Sequence, residues 1–228
     1  MIGIIGAMQK ETDGLIALTE IKERRTISGI EFVSGTLQGK EVVIATCGIG
    51  KVFAAMCAQT MILTYSPELI INTGVAGGLA DTLNIGDVVV SRGLVQHDMD
   101  TTGFGDPKGL INGLDIVVMA ADDRARQVML SCCGELDIRC TDGIIATGDQ
   151  FICTKEAKDT IVSNFGALAC EMEGGAIAQI CTANKVPFLV NRAISDGANE
   201  ASGIDYPTFV KMAAENSIKA VCLFLERI

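Results

Sequence analysis

Short runs rich in Val, Ile and Leu alternate along this chain with segments whose apolar residues recur at helical spacing. "MIGIIGAM" reads as a buried strand ending in a glycine turn at Gly6, with weak helical spacing over residues 11–18. "GIEFVSG" and "KEVVIATCGIG" read as two strands joined by the turn Leu37-Gln38-Gly39. Residues 52–63 form a strongly apolar helix candidate. "PELIINTGVAGGL" reads as a buried strand running into a glycine-rich loop, and "GDVVVSRGLVQHD" as one or two more strands. Residues 99–114 are loop-like. Residues 122–136 have helical periodicity, and "IRCTDGIIATGDQFI" gives another strand and loop. Thr154 is a plausible N-cap for a helix to Val162. "ALACEM" is a short strand, residues 174–183 a helix, "VPFLVNRAISD" a last buried strand, and residues 207–226 a long terminal helix.

This alternation predicts an α/β fold: a mixed, largely parallel sheet covered by helices on both faces. With 228 residues and no linker or repeat, one domain over residues 1–228 is expected. Hydrophobic residues make up 49% of the chain, enough for a large core. The net charge of -10 argues against a nucleic-acid surface. The basic cluster Lys22 to Arg25 reads as a solvated segment. No signal peptide is expected, and no apolar run approaches the ~20 residues that span a bilayer. Nine cysteines with irregular spacing, no CxxC and His97 as the one histidine suggest buried, reduced thiols in a cytosolic protein rather than disulfides or a zinc site.

The polar residues fall at the ends of the apolar strands. Glu11 follows Gly6-Ala7-Met8. Other strands end in Cys47-Gly48-Ile49-Gly50, Thr73-Gly74-Val75-Ala76-Gly77-Gly78, Gly148-Asp149-Gln150-Phe151, Glu171-Met172-Glu173 and Asn191-Arg192-Ala193-Ile194-Ser195-Asp196. Ligands of such folds collect at that rim. Several carboxylates, one arginine and one ring suit a neutral, polyhydroxylated, ring-bearing ligand such as a nucleoside. The Walker lysine motif and the GxGxxG spacing are both missing. Each residue alone has a duller role: Glu11 as a first-turn acid, Phe151 as core, Asp196 as a cap or a partner of Arg192. Their convergence shifts the balance. His97 reads as a structural or interface residue.

"IGIIGAM" with Glu11, "GIGKV", "INTGVAGGL", "GDQFI", "CEMEGGAIA" and "VNRAISDGA" run in order along the chain. Together they resemble the bacterial 5'-methylthioadenosine/S-adenosylhomocysteine nucleosidases. The resemblance implies a three-layer αβα, nucleoside phosphorylase-like fold, a cytoplasmic homodimer, and hydrolysis of an adenine–ribose bond without metal or organic cofactor. By motif position it implies Asp196 as general acid near N7 of adenine and Glu11 as the base that orients water. Glu173 would take the ribose hydroxyls and Met172 would pack on the sugar. Phe151 would stack on adenine while the Ile152 backbone reads its edge. Gly77 would let the backbone approach the ligand, and Arg192 would orient carboxylates at the site. Met8, Ile49, Tyr206 and Phe209 would surround the 5' group, with Thr101 and Phe104 from the partner subunit. Glu171 and Ser195 would support the contacting residues from behind. An Asp with an ordinary pKa of ~3.9 needs an upward shift to act as an acid near neutrality.

Two departures stand out. The family commonly has serine at Val75, whose hydroxyl helps hold the acid carboxylate, and "GFGDPKGLING" replaces a more aromatic stretch, leaving the 5'-group preference open. The rival readings are a purine nucleoside phosphorylase and a non-catalytic nucleoside-binding protein. The first needs phosphate-binding arginines, and "GAMQKE" has none. The second would be expected to lose the acid or the base, and both stand.

Overall fold

The computed structural model describes the backbone of residues 1–197 and 206–228, and the side chains of residues 1–197 and 214–228. The strands are β1 (Ile2–Gly6), β2 (Glu20–Ile27), β3 (Ile30–Leu37), β4 (Lys40–Thr46), β5 (Leu69–Gly78), β6 (Val88–Gln96), β7 (Met119–Ala120), β8 (Cys140–Thr147), β9 (Ala167–Glu171) and β10 (Phe188–Asp196). The helices are α1 (Gln9–Leu18), α2 (Lys51–Tyr65), α3 (Asp123–Glu135), α4 (Lys155–Phe165), α5 (Gly174–Asn184) and α6 (Tyr206–Arg227).

The strands form one sheet in the order β10-β6-β8-β9-β5-β1-β4-β3-β2, with β7 on β6. β10 also pairs with β5, so β5, β10, β6, β8 and β9 close a five-stranded ring. Helices cover both faces, as the alternation of elements implies. Along β1, Ile5 packs with the buried stripes of α2 and α5, while Ile2 and Ile4 pack with those of α1, α3 and α6. That is the period-two alternation of a strand buried on both sides. The expectation of a largely parallel sheet is corrected: five pairings are parallel and five antiparallel. The parallel core is β4-β1-β5-β10, and closing the ring brings in the antiparallel pairs β10–β6 and β5–β9.

Two local expectations also change. The stretch around Lys22 to Arg25 is exposed, yet it forms the edge strand β2, antiparallel to β3. Its charges discourage further edge pairing, and with neither face buried it has no apolar alternation to read. The glycines of "NTGVAGG" are not a loop but the end of β5. Arg192 pairs with Gly74, Asp196 with Gly77, and Cys170 of β9 with Gly77. A Cβ on Gly74 would lie 2.3 Å from Glu11 Oε1 and 2.5 Å from Arg192 Nη1. Glycine is needed here for close approach rather than for a turn.

Candidate active site

The C-terminal ends of β1, β5, β9 and β10 surround a cavity of about 140 Å³. Met8 and Glu11 reach it from the β1–α1 junction, Ile49 from the loop after β4, and Val75, Ala76 and Gly77 from the end of β5. Phe151 comes from the loop after β8, Cys170 to Glu173 from the β9–α5 junction, and Ser195 and Asp196 from the end of β10. A smaller chamber of about 40 Å³ shares Gly77, Phe151, Cys170, Glu171, Met172 and Asp196 with it, and adds Gln150, Ile152 and Lys158. Four carboxylates line the main cavity, and neither Lys nor Arg does among the described residues.

Behind the cavity wall lies Arg192, only 1% exposed. Its Nη2 donates to Glu171 in a very short contact, to Asn72 Oδ1 at 2.5 Å and to Glu173 Oε2 at 3.4 Å. Nη1 lies 4.0 Å from Glu11 Oε1. One guanidinium thus serves three buried carboxylates, which would be unfavourable alone.

The carboxylates are held differently. Glu11 folds back on the start of its own helix, Oε2 accepting from the N–H groups of Ala7 (2.8 Å) and Met8 (2.9 Å). Its Oε1 accepts from Val75 N at 3.0 Å. Glu171 accepts from Thr147 Oγ1 and, through Oε2, from the N–H groups of Glu173 (3.0 Å) and Gly174 (2.7 Å). It therefore satisfies the first amides of α5, where negative charge also complements the helix dipole. Gly175 lets α5 approach β8: its N–H donates to Thr147 Oγ1 at 2.6 Å, and a Cβ there would meet that side chain at 2.8 Å. Glu173 Oε1 accepts from Gly50 N at 2.9 Å. Burial, with Glu171 and Glu11 nearby, pushes its carboxyl up to about 7 against the pull of Arg192 and the Gly50 amide. Asp196 is buried; Oδ1 accepts from Ser195 Oγ at 2.9 Å, and a Cβ on Gly77 would lie 3.1 Å from Oδ2. The hydroxyl donor to this acid is Ser195. Val75 contributes apolar wall, and its backbone N–H goes to Glu11.

Arg192 does not line either chamber; it faces the carboxylates from the protein side. Ile152 lines the smaller chamber and not the larger. Thr101 and the 90% exposed Phe104 lie outside both chambers of their own chain. Tyr206 opens α6, but its side chain and that of Phe209 lie outside the described residues. His97 is buried beside Gly148, in the wall of a separate cleft of about 540 Å³. Burial raises the thiols of Cys47 and Cys170, so neither is a nucleophile near neutral pH. Asn72 and Thr147 also belong to the network of Arg192 and Glu171, and their polarity inside apolar strands is the signal that marks them. Asp149 accepts from Lys51 N (2.8 Å), and Lys51 Nζ donates to Asp98 (2.7 Å), tying the start of α2 to the loops after β6 and β8.

A family profile described as the phosphorylase superfamily matches residues 1–226. A 5'-methylthioadenosine/S-adenosylhomocysteine nucleosidase of Shewanella loihica is 41% identical over 228 residues, covering 100% of this chain and 99% of the relative. The nucleosidase of that name from Neisseria meningitidis, solved with methylthio-immucillin-A, superposes with a TM-score of 0.95 at 34% identity, covering 100% and 99% of the two chains. A futalosine hydrolase of Helicobacter pylori gives a TM-score of 0.94 at 34% identity, covering 100% and 97%.

Proposed function

Because this chain belongs to the phosphorylase superfamily, among its 5'-methylthioadenosine/S-adenosylhomocysteine nucleosidases, we propose that it hydrolyses the N-glycosidic bond of those two nucleosides as a single-domain enzyme. The products are adenine and the 5-thioribose. The observation that carries this reading is the charge of the cavity: four carboxylates and no cation among its described lining residues. Such a wall favours a sugar that becomes cationic as the bond breaks and disfavours phosphate as nucleophile.

In the step itself, water attacks C1' and the electron pair of the C1'–N9 bond passes to the purine. Asp196 protonates the departing base at N7, and Glu11 accepts a proton from the water. The three backbone N–H groups on Glu11 fix its carboxylate for that task. Glu173, opposite Glu11 across Arg192, takes the ribose hydroxyls, and the thioether of Met172 packs on the sugar. Phe151, shared by both chambers and 57% exposed, supplies the face on which adenine stacks. Arg192 acts through Glu171 and Glu173 rather than on substrate.

The same reading makes the enzyme a cytoplasmic homodimer in methionine salvage. All nine cysteines are unpaired, and among the described residues no helix is long and apolar enough to cross a membrane. Val52, Phe53 and Leu63 of α2, with Ile49 and Phe104, are exposed apolar groups that a second copy would cover, bringing Thr101 and Phe104 to the neighbouring site.

The test is adenine release from methylthioadenosine, adenosylhomocysteine, 5'-deoxyadenosine and adenosine, each with and without phosphate. Release at equal rates in both buffers is expected. A requirement for phosphate identifies a phosphorylase, and binding without release a non-catalytic relative.

A further inference from the structure

Lys158 stands where α4 should present an apolar side chain. The inward stripe of that helix is Lys158 and Ile161, and Lys158 is only 5% exposed. Burying an ammonium is costly unless its charge serves a partner. One partner of Nζ is the backbone carbonyl of Gly197, at 2.7 Å. Gly197 directly follows Asp196, and Lys158 joins Asp196, Gly77 and Phe151 in the wall of the smaller chamber.

The end of β10 needs such an anchor. A bulge falls between Ile194 and Asp196, so the regular register with β5 is broken one residue before the acid. Asp196 is the last residue of the strand. Its carboxyl is steadied by Ser195 on one side and backed by Gly77 on the other, but neither contact fixes the chain beyond it.

We propose that Lys158 is a positioning residue for Asp196, its ammonium pinning the Gly197 carbonyl so that the carboxyl meets the departing base. This rests on reading Asp196 as the general acid. A proton-delivery defect is separable from a folding defect by leaving group. Methylthioadenosine needs its purine protonated, whereas the 4-nitrophenyl riboside of 5-methylthioribose expels a stable phenolate without help.

Lys158→Met is therefore expected to lower kcat for methylthioadenosine by about tenfold or more, with KM changed less than about threefold. Turnover of the nitrophenyl riboside should fall by less than about threefold, a contrast that Asp196→Asn should share. Lys158→Arg keeps a donor cation and should retain more kcat than Lys158→Met. Lys155→Met, on the exposed side of the same helix, should behave as wild type. Equal loss on both substrates, no loss on either, or no advantage of Arg over Met overturns the proposal. If Asp196→Asn itself lowers both substrates equally, the acid assignment is wrong whatever Lys158 does. If the unmodified enzyme releases no adenine, the nucleosidase reading fails first.

Discussion

Glu173 couples the candidate site to stability in a way that a single amide substitution exposes. Its carboxyl is raised by burial and by Glu171 and Glu11, from an ordinary 4.5 to about 7. The folded value lies above the unfolded one, so between these pH values the folded chain holds a proton that the unfolded chain has lost. Stability from this group is then complete below pH 4.5 and falls as pH rises towards 7. Integrating the proton difference from pH 5 to pH 8 gives a loss of about 2–3 kcal/mol. Glu173→Gln cannot ionise and escapes this loss. Its carbonyl can still accept from Gly50 N, and its amide N–H₂ would face Arg192 Nη2, now 3.4 Å from Oε2. That donor–donor contact costs about 1 kcal/mol at every pH and cancels in the comparison. Urea unfolding of both proteins at pH 5, 6, 7 and 8 and constant ionic strength should show the variant gaining about 2–3 kcal/mol on wild type across the series. On the proposed reading of Glu173 as the group that takes the ribose hydroxyls, activity should be lost at the same time. Stability curves that run parallel within about 0.5 kcal/mol would refute the account of the buried cluster.

Other perturbations reach different parts of the site. Gly74→Ala forces a methyl against Glu11 and Arg192; a destabilisation of about 1–3 kcal/mol by urea unfolding and loss of adenine release are expected, and wild-type values would contradict the packing described. Val75→Ser adds a hydroxyl to the cavity wall, and a donor to the acid favours its ionised form, so the high-pH limb of kcat should move to lower pH. An unchanged profile sinks that reasoning. Phe104→Ala should raise KM for methylthioadenosine several-fold, by roughly 1 kcal/mol of lost apolar contact, while leaving the thermal midpoint of the chain unchanged. Sedimentation of the wild type as a monomer, or an unaltered KM, removes the partner contribution.

The element pattern was largely legible because most strands are buried and carry unbroken Val/Ile runs. β2 was not, because all but its last residue is exposed and nothing in its sequence alternates. The end of β5 was misread as a loop because glycines usually mark turns, whereas here they make room for Glu11, Arg192 and Asp196. The ring closure rests on the β10–β5 and β10–β6 pairings, which no local pattern encodes. At the site, the residue types and their convergence on one rim could be read, but not the division of labour. Glu171 and Glu173 share strand parity, yet β9 stops at Glu171 and the next two amides turn into α5. Both carboxylates therefore converge on Arg192 by different routes. The place of Lys158 was hidden because a lysine on a charged helix reads as solvated.

In the proposed mechanism Asp196 delivers the proton that releases adenine. The most direct measurement is turnover and ligand affinity of Asp196→Asn with methylthioadenosine, by adenine release and by titration calorimetry. The expected result is a kcat lower by about 10²-fold or more, with Kd within about tenfold of the wild-type KM. Wild-type-like kcat in the folded variant would contradict it.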